Sequence, residues 1–451
     1  MHLRLGSHAE KEYFEKMVKR FDGITVGANL LEATPGATAS LLVKLCAGGN
    51  RLRYQIDPMT YAFGGYVDPG SGRPRDDLDW IKSDQKVKGQ KGKVVRAIKS
   101  SYLKLSAALG TVFAAAIRRG LAVQPDDLSS GTTRTLVCES VLEYQRNRIK
   151  SVFLGDSEYK DFADEMPQPE VLWAPYFYIE PSRRGEWTEL TWLLAAESVS
   201  KGSGQPVYAV LCAPRGYLLD PAFLSEAAAR LPETGVSGVW LWFSQFDERD
   251  ASEAELVNFK KLVSSLCSSM AVYNLHGGYF SMALCESGIS GIAHGIGYGE
   301  QKDVVPVIGQ STPTVRYYLP ALHARFGVPD IERTFTSMGV KTPADFFEKI
   351  CGCVLCRGVI ASSLSNFAEF GERHLSTPLS KRAAQTPAAA KRCRFHFLLS
   401  RLRERDWIRG KSKDQIVADL QTSAEDWEGA SIRDLSGQAT QIARWARVIQ
   451  A

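Results

Sequence analysis

Residues 206–244 read PVYAVLCAPRGYLLDPAFLSEAAARLPETGVSGVWLWFS. The stretch opens on one apolar run, Val207–Cys212, and closes on another, Val239–Phe243. Both are short, bounded by turn residues, and read as buried strands. Pro221–Leu231 between them reads as a helix. Strand, helix and strand in succession make a parallel βαβ unit.

The same pattern extends in both directions. Downstream, Ser252–Ser269 reads as a helix, and Ala271–Leu275 and Ile289–His294 read as strands. Upstream, Val171–Ile179, Arg53–Ile56, Ile24–Gly27 and His2–Leu5 complete eight strand candidates. Eight parallel strands predict an α/β fold, a closed (β/α)8 TIM-like barrel rather than an open sheet. Residues 57–170 interrupt it. Within them Val94–Arg119 and Thr133–Phe153 carry helical spacing, so a large helical insertion is expected over about 65–165. The expected domains are a barrel at 1–300, a cysteine-bearing subdomain at 301–400 and a helical C-terminal tail at 401–451. Residues 375–391, LSTPLSKRAAQTPAAAK, read as a linker inside the second of these.

The bulk composition suits a folded α/β protein. Of 451 residues, 44% are hydrophobic and 23% charged, which argues against wholesale disorder. No G-x-G-x-x-G follows a strand and no G-x-x-x-x-G-K-[ST] occurs, which disfavours the nucleotide-binding α/β folds. No run approaches the roughly 18 apolar residues that span a bilayer. The opening MHLRLGSHAEKEYFEK lacks the apolar core of a signal peptide, so a cytoplasmic protein without a membrane partner is expected. Nine cysteines, an odd number, argue for free thiols rather than a disulfide framework. The net charge of +5 is uneven. Lys86, Lys88, Lys91, Lys93, Arg96, Lys99 and Lys104 fall in one acid-free run, which reads as a basic helical segment able to meet phosphates.

Two places carry chemistry. In CGCVLC, Cys351, Cys353 and Cys356 can occupy three corners of a tetrahedron from one tight turn, the pattern of a structural Zn²⁺ site. His374, Cys393 and His396 all qualify by spacing for the fourth corner. His396 is preferred, because it opens HFLLSRLRE, a helix able to pack back on the turn. The second place is the set of residues just past the strands, since barrel chemistry sits at strand C-terminal ends. There the sequence puts Asp57, Gln245, Asp247, His276 and His294. Asp57, in IDPMTYAFGGY, is followed by Tyr61 and Phe63. A carboxylate beside aromatic faces and a Gly-rich backbone suits a planar ring such as a nucleobase.

A long α/β chain ending in C-x-C-x-x-C, with a zinc histidine some tens of residues later, resembles the tRNA-guanine transglycosylase superfamily. These are TIM barrels with a C-terminal zinc subdomain. They exchange guanine in nucleic acid for a 7-deazaguanine, and some relatives act on DNA within modification or antiphage defence systems. The resemblance covers the layout of residues 20–400, with the cysteine motif as its specific part. It implies Cys351, Cys353, Cys356 and His396 as zinc ligands and Asp57 as the first catalytic aspartate. The sequence departs from the family where the turn after Asp57 is Pro58-Met59-Thr60 instead of DSGGF-like, and where VYAVLCAP carries no base-reading Gln. Ala293 and His294 stand where the nucleophilic Asp is expected. Another register aligns GIGYGE, 295–300, with the family's base-binding segment and leaves Asp303 and Asp330 downstream.

The expected function is therefore base exchange by a transglycosylase-like enzyme on DNA or tRNA. Asp57, Asp247 and His294 are its catalytic candidates. Tyr61, Phe63, Gln245, His276, Lys91, Lys93, Arg96 and Lys99 are the substrate-binding ones, and zinc is the structural cofactor. The alternative is a barrel without its nucleophile, serving as a nucleic-acid-binding or partner-binding subunit. Protein partners and a homo-oligomer are both compatible with the sequence.

Overall fold

The computed structural model describes residues 1–17, 20–46, 52–68, 71–86, 94–155, 160–297, 302–305, 314–375 and 383–451. Eight strands form one sheet: β1 (His2–Leu5), β2 (Gly23–Gly27), β3 (Arg53–Asp57), β4 (Leu172–Trp173), β5 (Val207–Pro214), β6 (Gly238–Ser244), β7 (Ala271–Asn274) and β8 (Ile289–Gly295). The pairings β1–β2, β2–β3, β4–β5, β5–β6, β6–β7 and β7–β8 are all parallel. First and last strands also pair, with His2 opposite Ala293 and Arg4 opposite Gly295. The sheet is thus a nearly closed TIM-like barrel, open only between β3 and β4.

Pro175 explains that opening. The sequence suggests a strand from Val171 to Ile179, but the ladder covers Leu172–Trp173 alone. A proline two residues on removes a donor and breaks the pairing. The Glu170 N–H reaches the Tyr54 carbonyl at 2.8 Å, and side chains bridge the rest of the seam. Trp173 Nε1 donates to Gln55 Oε1 at 2.9 Å. Gln145, from the helix Gly131–Leu154, receives the Trp173 N–H and donates to the Trp173 carbonyl, both at 2.8 Å. Its fully buried amide stands in for a neighbouring strand.

Strand parity fixes what the barrel encloses. His2 meets Trp240 and Tyr273 edge-on, with ring centroids 5.7 and 6.1 Å apart, and Trp173 lies 5.4 Å from Trp240. These strands are not all neighbours, so the contacts run through the interior. A β-carbon at Gly23 would sit 2.4 Å from the His2 ring, so a side chain there would need His2 to move. Along β1, His2 and Arg4 point inward, while Leu3 points out.

Helices follow β4, β5 and β6 in chain order: Arg184–Ser200, Pro221–Glu233 and Glu253–Leu266. Asp220 starts the second by accepting from the N–H groups of Ala222 and Phe223, with Pro221 in the first turn. The insertion is only partly helical. Helices cover Ser100–Leu109, Thr111–Arg119 and Gly131–Leu154. The basic run is not one helix: Lys82–Lys86 and Val94–Ile98 pair antiparallel, with Lys86 opposite Val94. The β-branched Val94 and Val95 favour a strand over a helix. Lys91 and Lys93 lie outside the described residues.

The described chain divides into two compact units, one of 1–246, 258–276 and 287–308, the other of 247–257, 277–286 and 309–451. The second is mainly helical, with Pro343–Lys349, Val354–Ile360, Pro387–Arg409, Lys413–Glu428 and Arg433–Gln450, and an antiparallel pair Tyr317–Leu319 and Ala324–Phe326. Of the stretch read as a linker, 376–382 lies outside the described residues. Ala383–Gln385 pairs with Arg373–Leu375, and Thr386 caps the helix that begins at Pro387. Pro at the first turn and three alanines behind it favour the helix, which a composition reading takes for a loop. Among the described residues no helix is long and apolar enough to cross a membrane.

Candidate metal centre and barrel mouth

Cys351, Cys353, Cys356 and His396 come together in the second unit. All four are buried, and one ligand atom from each lies within 4.8 Å of the others, an arrangement that could hold a metal ion. Local sequence builds the turn. Thr342 and Asp345 form a capping box at the start of Pro343–Lys349, and this short helix delivers the chain to Cys351. Backbone N–H groups of Cys353 and Cys356 point at the Sγ atoms of Cys351 and Cys353, at 3.4 and 3.3 Å. His396 arrives from the long helix, with Nδ1 3.5 Å from both Cys353 and Cys356 Sγ.

The surroundings orient the imidazole. His396 Nε2 lies 2.7 Å from the Tyr318 carbonyl and donates to it, which leaves Nδ1 facing the thiols as the nitrogen that would meet a metal. The ring stacks on Tyr317 at 4.1 Å, and the Tyr317 hydroxyl is 3.2 Å from Cys356 Sγ. Hydrogen bonds from the neighbouring thiols hold Cys353 toward the thiolate, and the same neighbours push Cys356 the other way. Burial opposes charge on His396, yet hydrogen bonds with Cys351 and Cys353 outweigh it and hold the imidazole up at about 9. Crowded thiols that cannot all ionise together are the electrostatic state a cation relieves. Of the other two candidates for the fourth corner, His374 lies exposed in its strand, and the Cys393 thiol donates to the Phe370 carbonyl.

At the barrel mouth Asp57 ends β3, fully buried. Its Oδ1 accepts from the Met59 N–H at 2.9 Å and the Tyr176 hydroxyl at 2.7 Å, and its Oδ2 from Arg4 Nη2 at 3.2 Å. Met59 takes a left-handed φ of 53°, which turns its N–H back onto the carboxylate. Tyr61 stacks between Tyr176 and Trp80, at 5.4 and 5.6 Å, and meets Trp242 edge-on at 4.8 Å. Burial, and then the Asp57 charge, raise the Tyr61 and Tyr176 hydroxyls well above 10.

A cavity of about 330 Å³ opens where β5 and β6 end. Ser244, Gln245 and Asp303 form one wall, and Tyr66 and Tyr178 also line it. Asp303 accepts from the Ser244 hydroxyl at 3.0 Å, the Val305 N–H at 3.0 Å and Gln245 Nε2 at 2.8 Å. Gln245 sits at φ 67°, a left-handed conformation unusual for a residue other than glycine, and such strain clusters at functional sites. The volume falls at the lower end of ligand pockets.

The other expected residues scatter. His276 is buried beside Trp242, with ring centroids 5.1 Å apart, and burial drives its pKa far below 6.5. Phe63 is core, packed on Phe113 and Tyr102 at 5.3 and 6.1 Å. His294 stands opposite Leu3, on the outward parity of β8, and its Nδ1 lies 3.1 Å from the Gly295 carbonyl. Asp247 belongs to the second unit, where it accepts from the Arg249 N–H and guanidinium, each at 3.0 Å. The structure therefore does not bring Asp57 and His294 to one reacting point. Arg96 is held bidentately by Asp79, at 2.8 and 2.9 Å, while Lys99 is exposed just before the Ser100 helix. Arg401 and His323 are buried on Glu404.

Sequence reasoning missed Arg4, Tyr176 and Trp242, and placed Asp303 only as a downstream aspartate. A charged residue inside the apolar HLRL was the available signal for Arg4. No protein-family model matches this chain, and no curated protein matches it.

Proposed function

We propose that this protein is a nucleobase-handling barrel of the transglycosylase type, acting on DNA or tRNA, with Asp303 as the carboxylate that takes the sugar. The observation that supports it is the cavity at the mouth, where Asp303 and Gln245 face the space shared with Tyr66 and Tyr178. Tyrosine faces suit a planar ring, and aligned polar groups fix its edge. Asp57 is a poorer nucleophile, because it is fully enclosed, whereas Asp303 is only half-buried and lines the cavity.

In this reading Asp303 attacks C1′ of the target nucleotide. A C1′–O bond forms as the C1′–N bond breaks, and the departing base takes a proton from Asp68, the other carboxylate lining the cavity. The incoming base then gives a proton to Asp68 and attacks C1′, which frees Asp303. The Cys3His centre takes zinc. With four protein ligands the site is closed, so the metal serves folding rather than the reaction. The segment carrying Lys91, Lys93 and Lys99 meets phosphates.

Radiolabelled guanine incubated with tRNA or duplex DNA tests this directly. Wild-type protein should incorporate label, and Asp303→Asn should lose incorporation by at least about a hundredfold while binding nucleic acid normally. Equal incorporation by Asp303→Asn would overturn the assignment. A second reading, a binding subunit without exchange, is favoured by the ends of β3 and β8, where Asp57 is closed and Ala293 and His294 replace a carboxylate. Salt-dependent binding without incorporation would support it.

A further inference from the structure

Tyr318 holds two partners at once. Its carbonyl accepts from His396 Nε2 at 2.7 Å, and its hydroxyl donates to Glu404 Oε1 at 2.7 Å. His396 and Glu404 both lie on the helix Pro387–Arg409, about two turns apart. The backbone of Tyr318 thus meets the metal centre while its side chain meets a cluster of buried charge. In that cluster Arg401 Nη1 donates to Glu404 Oε2 at 2.7 Å and to the Tyr318 hydroxyl at 3.3 Å, and His323 Nδ1 lies 2.7 Å from Glu404 Oε1. Tyr318, Arg401 and Glu404 are all buried. The His323 ring stacks on Tyr279 at 3.4 Å, and Gln438 Nε2 donates to the Leu322 carbonyl at 3.1 Å, so the cluster also reaches the elements around it.

The strand that carries Tyr318 needs such an anchor. Tyr317–Leu319 pairs with Ala324–Phe326, three residues against three, and a two-stranded pair this short is marginal by itself. The position of the Tyr318 carbonyl therefore depends on the grip of its side chain on Glu404. Burial opposes charge on Glu404, yet the Arg401 charge and the hydrogen bond with His323 outweigh it and hold the carboxyl below the ordinary carboxylate range. Glu404 is thus an ionised acceptor, and a hydrogen bond to a carboxylate is about twice as strong as one between neutral groups. The carbonyl in turn orients the imidazole whose Nδ1 faces Cys353 and Cys356. An outer partner that orients a ligand histidine changes metal affinity as well as fold.

We infer that Tyr318 and Glu404 are positioning residues for the metal ligand His396, and that metal binding and the buried cluster of Arg401, Glu404 and His323 stabilise each other. This rests on the Cys3His centre taking a metal and is independent of the exchange chemistry. Coupling of this kind is reciprocal: what the cluster adds to metal affinity, the metal returns to the cluster.

Zinc affinity of the full-length chain, measured by chelator competition, tests the coupling. Tyr318→Phe removes one hydroxyl and keeps the ring and the carbonyl. It should weaken zinc binding by about tenfold or more, and Glu404→Gln by at least as much. In the cobalt(II)-loaded variants the thiolate charge-transfer band should remain while the ligand-field bands shift, because the imidazole moves and the thiolates do not. Leu420→Ala, a truncation of a buried residue in Lys413–Glu428, is the control for lost packing alone. It should cost more stability in thermal unfolding than Tyr318→Phe but less zinc affinity. Zinc removal should, reciprocally, speed amide exchange across 317–326. If Glu404→Gln does not fold, Tyr318→Phe carries the test by itself. Zinc affinity unchanged in the folded variants, or lowered no further than in Leu420→Ala, would overturn the inference and leave the metal centre standing. A wild-type chain that takes up neither zinc nor cobalt would overturn both.

Discussion

Arg4 and Asp57 stand two strands apart in the barrel, and their pairing sets what each can do. The carboxylate is wholly buried and the guanidinium nearly so, at 0% and 13% side-chain exposure. Breaking such a pair leaves one charge uncompensated in a medium that solvates it poorly, which costs more than the pair itself contributes. Arg4→Met is therefore expected to destabilise the first unit by about 3–5 kcal/mol, whereas Asp57→Asn costs less because the guanidinium it leaves unpaired is the more exposed of the two groups. Urea midpoints of the two variants check this, and a milder loss for Arg4→Met than for Asp57→Asn would show that solvent reaches Asp57. At the metal centre, Cys353→Ser should lower bound zinc from about one per chain to near none, because a tetrahedral site with one corner removed binds weakly. It should also lower the unfolding temperature of the second unit. Metal analysis with a thermal scan reads both. A metal-free wild-type protein of unchanged stability would exclude the zinc reading.

Among the elements, β4 depends on a side chain from another element. It contributes two residues to the ladder, and the Trp173 N–H and carbonyl are both satisfied by Gln145. Gln145→Leu has similar volume but leaves two buried backbone groups unpaired, at about 1–3 kcal/mol each. The expected result is a loss of about 2–6 kcal/mol and faster amide exchange at Trp173, with amides of β6 less affected. Exchange at Trp173 unchanged in that variant would mean that water enters the seam and replaces the amide. The basic run at 86–104 carries the second expectation at this scale. Lys91→Glu with Lys93→Glu should weaken binding to all nucleic-acid sequences alike and flatten the plot of log K against log[salt], whose slope is about −0.9 per neutralised phosphate on duplex DNA. Adding Arg96→Glu tests little about phosphate binding, since Asp79 already holds that guanidinium.

For the molecule as a whole, buried histidines make stability depend on pH. Burial lowers the pKa of His2 to about 3 in the folded chain, against about 6.5 when unfolded. Above pH 6.5 both states leave it neutral and pH has no purchase on it. Below 6.5 the unfolded chain binds a proton that the folded chain refuses, so stability falls as pH falls, by about 1.4 kcal/mol per pH unit, until the folded pKa is reached. His2→Gln removes this linkage. The stability of wild type relative to His2→Gln should therefore drop steadily between pH 6 and pH 4. A difference that stays flat over that range would show that the folded barrel takes up the proton as readily as the unfolded chain.

The sequence by itself determined the eight strands in their order and the cysteine turn with His396, because both are written in local spacing. Apolar runs with helices between them specify a parallel barrel wherever the register falls, and thiols two and three residues apart specify a ligand turn. Only the tertiary structure decided which side each strand residue faces. Parity is set by pairing across the barrel, which closed Asp57 under Arg4 and Tyr176 and turned His294 outward. Tertiary structure also gathered the cavity wall, since Tyr66, Tyr178, Gln245 and Asp303 come from four separate segments whose approach depends on barrel closure. The β3–β4 seam is held by side chains more than a hundred residues apart, Gln55 and Trp173, and no local pattern records contacts at that distance.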